Sequence, residues 1–231
     1  MKKVFLSSLL CSCFLVISVV LWTGKASAQP FPGGLPQCEA SLESCNADLD
    51  ACEAQPAAAV PQTGQTRCWG GTPLSIIPCA DTGQDGDIKA GVVPPVPRFT
   101  DNGDGTITDN LTGLIWLKDA DCLRGIRTWQ QALDFANSLA DPQCGLTDDS
   151  IAGDWYLPNR NQLTSLLDLE NFNPALPTGH PFMNFQLYHY WSSTNHAVNL
   201  FSAWIVMISN GNIFLNDKTA GSFVTAVRGG S

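Results

Sequence analysis

Nine cysteines are the most reactive side chains in this sequence, and their spacing sorts them into three sets. Cys11 and Cys13 lie inside an apolar run from Val4 to Trp22 that follows Lys2 and Lys3 and precedes Ala26-Ser27-Ala28. That arrangement predicts a secretory signal peptide over residues 1–28, cleaved before Gln29; a retained anchor is the competing reading, because the run is nearly long enough to span a bilayer. The chain is therefore expected to be exported, to the periplasm, the cell surface or the medium. Cleavage carries off the first two cysteines and leaves seven. In an oxidising compartment these are disulfide formers first and metal ligands second, and an odd count requires one to pair between chains or stay free.

The second set, Cys38, Cys45 and Cys52, alternates with Leu42 and Leu49 at spacings of four and three, between Pro36 and Pro56. This is a heptad seam, so residues 29–55 are expected to hold a short oligomerisation helix. Cysteines seven apart on a helix are about 10 Å apart at 1.5 Å rise per residue, beyond the roughly 7 Å a disulfide spans, so pairing within the helix is excluded. Pairing across a parallel two-fold seam satisfies every layer. A disulfide-laddered homo-oligomer through residues 38–52 is the expectation; a trimer leaves a thiol over in each layer, and a partly oxidised tail is the bland alternative for so short a helix.

The third set, Cys68, Cys79, Cys122 and Cys144, is irregular and belongs to a folded domain expected over 67–231. Cys68 and Cys79 bracket a short loop, and Cys122 and Cys144 flank a predicted helix. Four cysteines allow three connectivities, which spacing does not resolve.

Other chemistry is thinner. His180, His189 and His196 are nine and seven apart, which matches no compact zinc pattern, so no metal site is assigned. The loop from Asp101 has Gly103 and Gly105 where a calcium loop needs ligands, leaving calcium without a ligand motif and no cofactor expected. No Ser/His/Asp order and no carboxylate pair stands out, and the chain is not expected to be an enzyme. Loss of Lys2, Lys3 and Lys25 with the signal takes the net charge from −9 to −12. An acidic chain of this kind excludes nucleic acid and argues against polyanionic ligands.

The elements that must position these residues can be read locally. Residues 56–66 form a Pro/Ala/Gln/Thr linker. Asn102-Gly103-Asp104-Gly105 predicts a hairpin turn, and Asn210-Gly211 a second. Thr128 with Gln131 and Asn159 with Gln162 are capping boxes that open two helices. Trp129, Leu133, Ala136 and Leu139 line one helix, and Leu163, Leu166 and Leu167 the other. Strands are expected at 112–118, around 190–194, at 201–209, at 212–216 and at 222–229. The fold class is α+β, with two helices and a mainly antiparallel sheet. Trp155, Trp191 and Trp204 are expected in the core, while Tyr188, Tyr190, Asn195, His196 and Asn199 are the candidate ligand-binding residues, because aromatic and amide side chains on loops suit recognition.

The ordered set TDNGDGTITDNLTGLIWLKDA, TWQQALDFANSLA, GDWYLPNRNQLTSLLDL, YWSST, AWIVMISNG and VTAVRGG resembles the C-terminal domain family of the Legionella collagen-like protein. The resemblance covers about residues 67–231. It implies a fold similar to C-type lectin-like and sulfatase-modifying-factor domains, with the strand at Leu114–Leu117 beside Val224–Arg228. It also implies extracellular binding or adhesion, including to host glycosaminoglycans for the family's namesake; an extracellular glycan or matrix protein is the partner expected here. Two departures stand out: the cysteine heptads replace a collagen repeat, and the acidic charge disfavours sulfated polyanions. The expected function is a surface-displayed binding module on a disulfide-linked stalk, with a structural part in a surface appendage as the alternative.

Overall fold

The computed structural model describes residues 60–71 and 75–229. The signal segment and the cysteine-heptad region, with Cys38, Cys45 and Cys52, lie outside the described residues. Three antiparallel sheets and a few short helices make a mixed α/β domain. Strands β1 (Cys68–Gly70) and β2 (Ser75–Ile77) form a small hairpin, followed by a one-turn helix α1 (Asp85–Ile88). Strands β3 (Phe99–Asp101), β4 (Thr106–Asp109), β5 (Ile115–Leu117) and β9 (Val227–Arg228) make a four-stranded sheet in that order. Strands β6 (His189–Asn195), β7 (Ser202–Met207) and β8 (Ile213–Asp217) make the third sheet. Between these sheets in the chain come α2 (Trp129–Ser138) and α3 (Arg160–Ser165).

Local rules account for most of this. Thr128 and Asn159 cap α2 and α3, and in each case the side chain three residues on, Gln131 or Gln162, returns a bond to the cap backbone. Each box satisfies two N–H groups that the first turn leaves free. The β3–β4 hairpin turns at Asn102–Gly105, where Asp104 accepts from both the N–H and the hydroxyl of Thr106. Gly105 has φ +87°, and a Cβ there would lie 2.5 Å from the Gly145 carbonyl oxygen, so only glycine fits this close approach.

The expected pairing of 114–117 with 224–228 is present: Ile115 faces Arg228 and Trp116 faces Val227. Regular pairing of the last segment is limited to β9, while Ser222 and Phe223 contribute single bridges to Arg127 and Tyr190. Two apolar clusters fill the interior. One holds Phe99, Ile107, Trp116, Leu163, Leu166, Tyr190 and Val206; the other holds Leu117, Ala132, Leu139, Trp155, Trp191, Ala203 and Ile205. Trp155 and Trp191 are fully buried as expected, and Trp204 is partly so.

Cys68 bonds to Cys79 and Cys122 to Cys144, with Cα separations of 5.1 and 5.5 Å. Residues 60–66, expected as the end of a free linker, instead lie against the domain. Gln62 N–H and Val92 N–H reach across to each other's strand, Leu169 N–H donates to Thr63, and Glu170 takes Thr66 N–H. Asp154 accepts from Ile151 N–H, and Arg160 stacks on Trp204 at 5.1 Å.

Candidate functional site

The β6–β7 connection, His196 to Phe201, has the sequence HAVNLF, in which one histidine and one asparagine stand among four apolar residues that belong to no helix or strand. Its polar groups are consumed internally. His196 Nδ1 accepts Asn199 N–H at 2.9 Å, Asn199 Oδ1 accepts Phe201 N–H, and Asn199 Nδ2 donates to Ser202 Oγ. Lys218 adds an ammonium donor to the Leu200 carbonyl and a backbone N–H to the Phe201 carbonyl. The loop is seated on Trp204, whose ring lies 5.9 Å from His196 on one side and under the Arg160 guanidinium on another. Arg160 N–H in turn donates to Thr194 at the end of β6, so the capped start of α3 braces the loop.

With the backbone fixed in this way, the apolar side chains have nowhere to go but outward. Val198, Leu200 and Phe201 are 87, 73 and 77 % exposed. Their burial in water-free contact would be favourable by about 25 cal/mol per Å², which is the physical incentive for a partner.

The five candidate residues divide. His196 and Asn199 build this loop rather than present themselves to a ligand, and Asn195 sits exposed at its entrance. Tyr188 is 48 % exposed but belongs to the far end of β6, roughly 20 Å away at about 3.3 Å per strand residue. There it stacks against His189, with ring centroids 4.2 Å apart. Tyr190 is not a surface residue at all: it is fully buried, packs on Phe185 and Phe223, and its hydroxyl accepts Gln186 N–H. Burial, with Asp119 and Asp121 nearby, pushes its ionisation well above the usual tyrosine range. The residues that reasoning from sequence missed are Val198, Leu200 and Phe201. Val198 and Leu200 stood in the sequence as apolar residues between the strands expected around 190–194 and at 201–209, and Phe201 was read as the first residue of the second, which instead begins at Ser202.

Elsewhere the titratable groups serve structure. Asp101 is held below the usual carboxylate range by the Lys118 ammonium and Gly103 N–H, and Asp104 is engaged within its own turn. His180 and His189 are both held below the ordinary histidine value by burial, His180 among Phe182 and Phe185. Among the described residues no three His, Cys, Asp or Glu side chains gather closely enough to hold a metal ion. A groove of about 670 Å³ runs between the 60–63 segment, the outer face of α3 and the β7–β8 turn. Leu114, Leu167, Leu169 and Ile213 floor it, and none of its lining residues is charged. Gln162, on its rim, is already bonded to Asn159 N–H and to the Tyr156 hydroxyl, so the groove offers mainly apolar contact.

A sequence model of the Lcl C-terminal domain matches residues 105–228, from the tip of the β3–β4 hairpin through β9. A search of curated proteins finds no match.

Proposed function

Because this chain belongs to the Lcl C-terminal domain family, we propose that it is an exported, surface-associated, non-enzymatic binding module that grips an extracellular protein, of the matrix kind, through the His196–Phe201 loop. The observation that carries this reading is the pairing of a hydrogen-bonded loop backbone with three outward apolar side chains. A loop already held in one conformation gives up little entropy on binding, and exposed apolar anchors are the groups that gain most from a partner's pocket. The two disulfides fit an oxidising compartment.

Further parts of the proposal rest on the sequence. The cysteine heptads at 38–52 would gather copies on a disulfide-linked stalk, and several weak loops acting together gain avidity. A C-type lectin-like framework is the fold reading that goes with the family. Calcium is not required in this mode, since the contact is apolar. An uncharged protein surface suits an acidic chain better than a sulfated polyanion.

The test is retention of the oxidised oligomer on collagen and fibronectin films and on an uncharged glycan array, with and without chelator. Retention on a protein film that survives chelator and falls at least fivefold in a Leu200→Ser/Phe201→Ser variant is the expected result. Equal retention of that variant, or no retention on either film, overturns the proposal.

A further inference from the structure

Strand β8 has one edge against β7, and among the described residues no strand pairs with the other. In the β7–β8 ladder Met207 N–H bonds to Asn212 O and Lys218 N–H bonds to Phe201 O, and the register pairs Ile205 with Phe214. Alternation along an antiparallel strand then directs the C=O of Asn212 and both backbone groups of Phe214 and Asn216 toward β7, and those of Ile213, Leu215 and Asp217 away from it. Among the described residues no backbone group bonds to the outward groups of Ile213 or Leu215, while the Asp217 carbonyl accepts Ala220 N–H. The edges of β6 and β3 are handled differently. The free edge of β6 is covered where Trp191 N–H meets Phe223 O, and β3 is three residues long and ends at Asp101, which pairs with Lys118.

Soluble proteins blunt an open edge with lysine, proline or a bulge. Strand β8 does the opposite: Ile213, Phe214 and Leu215 are 41, 43 and 42 % exposed, so both faces of the edge are apolar. No charged residue occurs from Ser209 to Asn216, in a chain whose net charge of −9 otherwise repels its copies.

We infer that β8 pairs edge to edge with β8 of a second copy of this chain, antiparallel about a two-fold axis through Phe214. The register is self-complementary. Ile213 meets the partner's Leu215 as a hydrogen-bonded pair, so all four outward groups of each copy's Ile213 and Leu215 are used. Phe214 faces the partner's Phe214 on one face of the joined sheet, where aromatic cross-strand pairs are favourable. Asp217 falls opposite the partner's Gly211, so no like charges meet. The result is one six-stranded sheet. Three apolar side chains per copy bury less than the roughly 1,200 Å² of a stable interface, so the pairing is weak and becomes populated when copies are concentrated or tethered. It uses neither the His196–Phe201 loop nor its ligand, and stands or falls separately from the binding reading.

The test is a Phe214→Cys variant of the mature full chain, mixed from unlabelled and nitrogen-15-labelled preparations and mildly oxidised. A non-hydrogen-bonded pair places the two Cα atoms about 4.5 Å apart, within disulfide reach. The expected product, read by mass spectrometry after digestion, is a mixed-isotope peptide linked through residue 214, with Cys68–Cys79 and Cys122–Cys144 intact. Its yield should exceed by tenfold that of Val198→Cys, a more exposed position that reports random collision. Adding Ile213→Pro, which removes an outward N–H and the isoleucine side chain without taking a rung from β7, should cut the yield by a similar factor. A yield no higher than at residue 198, or one unchanged by Ile213→Pro, overturns the pairing, as does capture of an added extended peptide by chains that never link to each other.

Discussion

His196 Nδ1 accepts the backbone N–H of Asn199 at 2.9 Å, so the loop proposed to bind is built around its own polar residues. Asn199 extends the same network through both ends of its amide. Asn199→Ala removes a donor and an acceptor from a partly exposed site, at a cost of about 1 kcal/mol local to the loop. Amide exchange over residues 196–202 should quicken about fivefold while the rest of the domain exchanges as before. Hydrogen exchange read by mass spectrometry checks this; an unchanged loop would mean that the backbone is held by Lys218 and β7 alone.

Tyr190→Phe tests the reassignment of a predicted surface residue to the core. The ring stays, but Gln186 N–H loses the buried oxygen that takes it. An unsatisfied buried donor costs about 1–3 kcal/mol, so the urea midpoint should fall while partner binding is unaffected. A loss of binding without a loss of stability would return Tyr190 to the contact surface.

Arg98 and Asp109 form the most enclosed ion pair of the four-stranded sheet, with Asp109 fully buried and bonded through both carboxylate oxygens. Asp109 also accepts from Leu111 N–H and the Thr112 hydroxyl. Arg98→Met strands the carboxylate, and removing one partner of a buried pair costs about 3–5 kcal/mol. Thermal unfolding of the variant should show one of the largest drops of any single substitution in the domain.

Glu170 ties the 60–71 segment to the domain and gives that tie a pH dependence. Burial works to raise its carboxyl, but the N–H groups of Thr66 and Arg67 and the Arg67 guanidinium outweigh it, leaving the group below its ordinary value of 4.5. A lowered carboxylate contributes stability that is complete above the ordinary value and is lost as pH falls through the folded one. Protease cleavage near Arg67 should therefore rise on acidification below 4.5 and not on alkalinisation. Glu170→Gln should show the acid level of cleavage at neutral pH.

The parts of this fold that were legible in the sequence are those governed by neighbours three or four residues away. Thr128 with Gln131 and Asn159 with Gln162 are such pairs, and both boxes formed. Asn210-Gly211 is another, since Gly211 adopts φ +76° in the β7–β8 turn. Tyr190 was misread as an aromatic of a recognition loop, whereas it lies inside β6, in a sheet that is packed on both faces. Here Tyr190 and Val206 pack into one cluster while Trp191 and Ile205 pack into the other, so consecutive residues are buried together. The attachment of residues 60–66 was illegible for a different reason. Its partners, Val92, Leu169 and Glu170, lie some 30 to 105 positions further on, and nothing local to a Pro- and Thr-rich segment announces them. Within the candidate site the cause is local: His196 and Asn199 are conspicuous as residue types, yet their spacing of three lets the His196 ring accept Asn199 N–H, and the side chains of Val198, Leu200 and Phe201 are the ones left exposed.

The place of the loop at the tip of the β6–β7 hairpin also has a mechanical meaning. A load applied at Leu200 or Phe201 runs along β6 and β7, parallel to the strands. The rungs joining β7 to β8, and those joining β6 to Phe223, then share the force in shear, all stretching together, instead of opening one after another like a zipper. Because β6 and β7 are also wedged between two packed clusters, sliding them would drag Tyr190 and Trp191 through close-packed surroundings on both sides. A surface captured as proposed would therefore pull along the strands, the direction in which these rungs resist together.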